Sequence, residues 1–131
     1  MKRFVWVLQI ALGVFFIAMG VIHFVLPDNL PGPLGWMYDL SPLLQYISGT
    51  AEILGGLGLI LPAATRVMPI LTPLAAIGLA LVMVGASVWH GDRGEVRNVI
   101  TNLVVAAILI FVASYRWRIE SRSAEAAEPS A

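Results

Sequence analysis

Three observations predict an all-α fold, an integral membrane four-helix bundle. Of 131 residues, 59% are hydrophobic and only 12% are charged, where a soluble domain would carry about 25% charged residues. Four separate apolar stretches each approach the ~20 residues that a helix needs to cross a bilayer core. All charges but one, Glu52, fall between or beyond those stretches. Lipid demands such a partition, because backbone polar groups there must be satisfied within each helix. Mean hydropathy is +0.86. The length fits one domain, predicted over residues 1–117, with residues 118–131 as a disordered cytoplasmic tail that ends SAEAAEPSA.

The same composition excludes whole classes. Formal net charge is zero, so there is no basic surface for nucleic acid. Cysteine is absent. That removes disulfides, thiolate ligands and any thiol–quinone electron transfer that works through a Cys pair.

The first span is Phe4 to Leu26. Its apolar run is too long for a signal peptide, and no small-x-small cleavage site follows it, so it reads as an anchor. A Pro-rich loop, residues 27–42, comes next: PDNLPGPLGWMYDLSP, with four of the chain's eight prolines and no basic residue. A long loop of this kind is a candidate lid; alternatively, Trp36 and Tyr38 sit at the lipid headgroups as an aromatic belt. Ser41 and Pro42 then open the second span, residues 43–61, as N-cap and first helical residue. The third span covers residues 67–89 and the fourth residues 98–115.

Lysine and arginine set the orientation. Lys2, Arg3, Arg66, Arg116, Arg118 and Arg122 share one side, against Arg93 and Arg97 on the other. Both termini are therefore expected in the cytoplasm, with the chain multi-pass in the cell's inner or plasma membrane. The bilayer is its first partner. A protein partner in a membrane complex, or further copies of the chain, would be the second.

Each span carries a stripe of small and polar residues at helical spacing: Gln9, Gly13, Gly20 and His23; Gln45, Ser48, Gly49, Glu52, Gly55 and Gly56; Ala76, Ala80, Ser87 and His90; Asn98, Asn102 and Ala106. Small residues let membrane helices approach closely, and polar ones hydrogen-bond across them. The stripes should face inward. A rise of about 1.5 Å per residue puts His23 about 5 Å, and Glu52 about 13 Å, below the outer ends of their helices. Gln45, His90 and Asn98 fall at the outer edge, with Asn102 one turn deeper. The polar groups thus gather under the Pro-rich loop, with Glu52 as their floor. The other half of the bundle holds Gln9, Thr72 and little else.

Glu52 carries the strongest functional signal, since an ionisable group inside a membrane is costly, of order 2.5 kcal/mol or more. With its proton in place it both donates and accepts. The bland alternative is a carboxyl that ties two helices through Asn102 or Gln9. His23 and His90 lie on one side of the membrane on two helices, and suit proton transfer to a quinone head group. Haem ligation by the two would need an opposed geometry that spacing does not dictate. No metal site is expected, because Glu52 lies too deep to share a shell with both histidines. Asn98 and Asn102 suit helix–helix hydrogen bonds; Arg93, Glu95 and Arg97 read as a solvated loop. The Gly55-Gly56-Leu57-Gly58 run carries no phosphate motif. The candidate ligand-binding or proton-carrying set is Glu52, His23, Asn102, Gln45 and His90, and no catalytic residue is assigned.

With GVIHFVLPD closing the first span, YISGTAEILGGLGLIL in the second, PAATR ending in Arg66, and SVWH before the last, the chain resembles the DoxX and DoxX-like family of small four-helix membrane proteins. The resemblance spans roughly Trp6 to Trp117. It would make His23, Pro27, Gly49, Glu52 and Gly55 the family's core positions. The ending SYRWRIESRS replaces the Gly-rich segment with an Asp found in the main branch, and points to the DoxX-like side branch. Such a family implies quinone-dependent oxidation of sulfur compounds, membrane oxidoreductase complexes, or assembly and ligand-binding roles. Three functions compete. The first is a small subunit of a redox complex that binds a quinone or similar lipid-soluble ligand. The second is a non-catalytic scaffold or assembly factor. The third is a proton-coupled exporter of hydrophobic cations, although exporters of this size carry their membrane Glu in the first helix and surround it with aromatics.

Overall fold

The computed structural model describes residues 1–130 and contains four long helices and one short one. They are α1 (Lys2–Val25), α2 (Pro42–Thr65), α3 (Leu71–Asp92) and α4 (Val96–Ala127), with a 3-10 helix, Gly32–Asp39, between α1 and α2. All four long helices have the length and hydropathy to span a membrane. Neighbours run antiparallel. One end of the bundle therefore gathers Lys2, Arg3, Arg66 and Arg116, the basic end, and the other carries the 3-10 helix, the loop end.

The second span opens as expected. Ser41 is the N-cap of α2 and its Oγ accepts from the Leu44 N–H at 3.3 Å, with Pro42 as the first helical residue. The third starts later than residue 67. Arg66 and Met68 hold left-handed φ values of 59° and 48°, and Pro69 disfavours a helical conformation at the residue before it. The helix begins at Leu71, and Pro73 is accommodated within its first turn.

The largest departure is the tail. Residues 118–131 were expected to be disordered, yet α4 runs unbroken to Ala127. A helix already nucleated by its packed stem extends at one hydrogen bond per residue, and Glu, Arg and Ala favour that extension. It stops at Glu128, whose extended backbone is imposed by Pro129. At about 48 Å, α4 is longer than any bilayer core.

Packing differs along the bundle. In lipid, helices associate by close contact rather than by hiding from water. The α1–α2 seam is therefore built on glycine. A Cβ at Gly56 would meet the Gly13 carbonyl oxygen at 2.6 Å, and one at Gly20 would meet the Gly49 carbonyl oxygen at 2.7 Å. α2 and α3 touch as closely toward the basic end, where Cβ atoms at Gly55 and Gly58 would strike Leu79 at 2.5 Å and Ala75 at 2.7 Å. The hydrophobic core lies in that same half: Val5, Phe16, Leu59, Leu109 and Val112 are fully buried there.

The Pro-rich loop folds over the other half. Tyr38 Oη donates to the Pro27 carbonyl and accepts from the Leu30 N–H at 3.0 Å, which ties the loop's two ends together. Met37 is fully buried beneath it.

Candidate functional site

Under the 3-10 helix, between the four helices, lies a cavity of about 480 Å³. His23, Glu52, His90 and Asn102 all line it. Gln45 stands behind the wall instead, where it orients His23. Its Nε2 donates to the Met37 carbonyl at 2.5 Å, which turns Oε1 toward His23 Nδ1, also at 2.5 Å. An oxygen there can only accept, so Nδ1 carries the proton and Nε2 of the neutral ring is an acceptor. Nε2 points at Glu52 Oε2, 3.5 Å away.

That contact corrects the depth argument, which separated these two groups by about 8 Å along the membrane normal. Side chains tilt toward the N-terminus of their own helix. α1 and α2 are antiparallel, so His23 leans toward the basic end and Glu52 toward the loop end. Gly49 gives them room, since a Cβ there would lie 3.0 Å from the Cβ of His23.

Glu52 is 5% exposed. Its Oε2 and the Nδ2 of Asn102 are buried and have no hydrogen-bond partner among the described residues. Both residues line the cavity, from α2 and α4. An acceptor and a donor left open on one cavity wall are costly unless something bonds them.

The second histidine is paired too. His90 Nδ1 meets Glu95 Oε2 at 2.5 Å, which leaves Nε2 as the ring's free nitrogen. Arg93 Nε donates to Glu95 Oε1 at 2.8 Å, and Arg93 Nη2 donates to Asp39 Oδ2 of the 3-10 helix at 2.6 Å. Its guanidinium also lies 4.5 Å from the centre of the Trp89 ring. Glu95 is held below the usual carboxylate range, first by the hydrogen bond from His90 and then by that from Arg93. Arg93 is pushed up, chiefly by its hydrogen bond to Glu95. Arg93 and Glu95 are thus part of the site's rim, whereas Arg97 stays exposed. The sequence offered a faint signal, an acid five residues after a histidine, across a helix end that a glycine turns. Asn98 joins weakly, at 3.4 Å from both His90 Nδ1 and Glu95 Oε2.

Trp36 completes the cover. Its ring centre is 6.0 Å from that of His23 and 4.8 Å, edge to face, from that of His90. Trp36 lines the cavity, whereas Tyr38 is the exposed aromatic of that loop.

A second polar cluster sits at the basic end. Gln9 Nε2 donates to the Leu59 carbonyl, and Arg116 Nε donates to Gln9 Oε1 at 2.7 Å. Arg116 is 5% exposed, with the Trp6 ring 4.5 Å from its guanidinium carbon. Counted from sequence among the six basic residues of one side, it lies on the core face of α4.

Fold and site together define a small multi-pass membrane protein with a covered, mostly apolar cavity whose two lining histidines each face a carboxylate, Glu52 in the cavity wall and Glu95 outside it. The chain belongs to the DoxX-like family, whose match covers residues 7–112. No curated protein and no solved structure matches it.

Proposed function

We propose that this protein is the membrane subunit of a redox complex and binds a quinone, or a similar lipid-soluble ligand, in the cavity under the 3-10 helix. The observation that carries the reading is the unpartnered Glu52 Oε2, set 3.5 Å from an acceptor nitrogen of His23 inside an apolar cavity. Two acceptor atoms facing each other call for a shared proton, so Glu52 and His23 together hold one that a ligand oxygen can take or return. His90, backed by Glu95, offers a second exchange point. A quinone that gains two electrons takes one proton on each ring oxygen. The electrons come from a redox protein partner; the chain itself binds the head group and moves protons at Glu52 and His90. Asn102 Nδ2 donates to the ligand, and Gln45 keeps His23 in its tautomer.

The six basic residues of the basic end support an orientation with both termini in the cytoplasm and the lid outside. A reporter fused after Ala131, active only on one side of the membrane, tests that orientation.

The decisive experiment is gentle extraction from native membrane, followed by mass spectrometry of retained small molecules and polypeptides. A quinone that co-purifies with the chain, and is lost in Glu52→Gln, supports the reading. A partner polypeptide retained with no small molecule would replace it with a scaffold.

A further inference from the structure

A proton reaches a cavity inside a membrane through groups that carry protons, as chains of Asp, Glu and His do in pumps. Toward the basic end the way is packed: Phe16, Leu59, Leu79 and Leu109 are all fully buried. The flanks face lipid. Phe15, Ile47 and Val88 line the cavity and are exposed, and the exposed Thr101 spends its hydroxyl on the Arg97 carbonyl of its own helix, at 2.9 Å. The loop end remains.

There the two histidines differ. His23 Nδ1 donates to Gln45, whose own amide donates to the Met37 carbonyl. An amide does not titrate, so that line orients the ring and carries no proton. His90 Nδ1 meets a carboxylate instead, Glu95 Oε2. The step runs from a side chain 2% exposed to one 26% exposed. Glu95 lines a second space of about 480 Å³, between the 3-10 helix and the α3–α4 turn, with Asp39, Arg93, Arg97 and Asn98. Trp36 lines both spaces and stands between them, its ring edge to face with His90 at 4.8 Å.

We propose that His90 and Glu95 form the passage by which the cavity exchanges protons with water at the loop end, around the Trp36 partition. As a route for quinone protons it rests on the reading above; as a proton route it stands by itself. A quinol hydroxyl gives its proton to His90 Nε2 and keeps the bonding electron pair on oxygen until the redox partner takes electrons. The imidazolium passes its Nδ1 proton to Glu95 Oε2, and the Glu95 carboxylic acid loses that proton to water in the outer cleft. One proton enters the ring as one leaves it. The same steps reversed deliver a proton to a quinone oxygen and return His90 to its first tautomer. Arg93 occupies Glu95 Oε1 and leaves Oε2 to His90. The other ionisable groups around His90 are Asp39 of the 3-10 helix, Asp92 of α3, and His23 and Glu52, which line the same cavity from α1 and α2; from α4 it meets Asn98. Among the ionisable residues of the cavity wall, Asp92 is exposed, which makes it the competing point of entry.

The test measures exchange of imidazole N–H protons with water by NMR, on the full chain in lipid nanodiscs. The chain has two histidines, and His23→Gln assigns their ring signals. In the native chain the His90 proton should exchange faster than the His23 proton. Glu95→Gln still offers His90 an acceptor but takes up no proton, so exchange at His90 should slow about a hundredfold, the low end for a positioned acid–base group. Asp92→Asn should leave it unchanged. Equal rates at the two histidines of the native chain, unchanged exchange in Glu95→Gln, or slowing by Asp92→Asn alone overturns the passage. The comparison of the two rings is made in the native chain, so it decides even where Glu95→Gln disturbs the turn. A benzoquinol with an alkyl tail, added as a probe, should then shift the His90 Nε2 signal. If it shifts neither ring, the quinone reading fails, while the passage is judged by the exchange rates alone.

Discussion

The two ends of the bundle bury comparable polar groups with opposite results. At the basic end, Arg116, Gln9 and the Leu59 carbonyl form a chain of hydrogen bonds inside the dense core around Val5, Leu109 and Val112. At the loop end, His23, Glu52, His90 and Asn102 surround open space. The basic end buries its guanidinium in dense packing, and the loop end holds the room. A buried ionisable residue marks a site only where the surrounding side chains leave volume for a ligand. Where they do not, it acts as a fastening. Arg116 ties α4 to α1, two helices that otherwise pack on α3 and α2.

Substitutions at the two ends should therefore separate stability from binding. The largest effect is expected from Gln9→Leu, which strands the Leu59 carbonyl and the Arg116 Nε inside the core. Each stranded group costs about 1–3 kcal/mol, so thermal unfolding in detergent should show a loss of about 2–6 kcal/mol, with quinone affinity kept. Glu52→Gln should do the reverse. It keeps the shape but cannot share a proton with His23, so affinity falls about tenfold or more while the unfolding midpoint stays. If Glu52→Gln unfolds the bundle as readily as Gln9→Leu does, the two ends are alike and the comparison collapses.

Gln45→Leu is intermediate. It frees the His23 ring to change tautomer and leaves the buried His23 Nδ1–H without its acceptor, at a cost of about 1–3 kcal/mol, while the Met37 carbonyl keeps its bond from the Leu40 N–H. Ligand affinity should drop with it, because His23 loses its orientation; calorimetry on the purified protein reads both. The smallest effect belongs to Arg93→Gln at the rim. Exposed ion pairs contribute about 0–1 kcal/mol, so stability should barely move, while hydrogen exchange in the 3-10 helix quickens. A pH titration sharpens the same point. Glu95 is held below its ordinary value of 4.5, first by His90 and then by Arg93. Its stabilising contribution is therefore complete above that value and is lost only as pH falls through the lower folded-state one. The Trp89 emission change should have its midpoint below 4.5 in the native chain and move upward in Arg93→Gln.

Much of this arrangement is legible in the sequence. The inward stripes were correct: Gln9, Gly13, Gly20 and His23 are all buried on α1, and Gln45, Gly49, Glu52 and Gly56 on α2. Helical period and small-residue spacing are local properties, and they carry faces reliably. Depth carried less well, because it ignored the opposed tilt of side chains on antiparallel helices, and so kept His23 from Glu52. The burial of Arg116 was not legible, because a charge count places an arginine at one end of a helix and says nothing of the face it occupies. Trp36, Arg93 and Glu95 depend on how one loop folds across another, which no local pattern encodes. Tail composition suggested disorder, although the same alanines and glutamates extend a helix once a packed stem has started it.

Mechanically, α4 is a lever with a fulcrum. The Arg116–Gln9 bond clamps it to α1; Asn102 lies about 21 Å from that pivot on the cavity side, and Ala127 about 16 Å beyond it. One unbroken helix thus joins a cavity-wall residue, Asn102, to an arm past Arg122 that is exposed, so cavity and arm share a single rigid element.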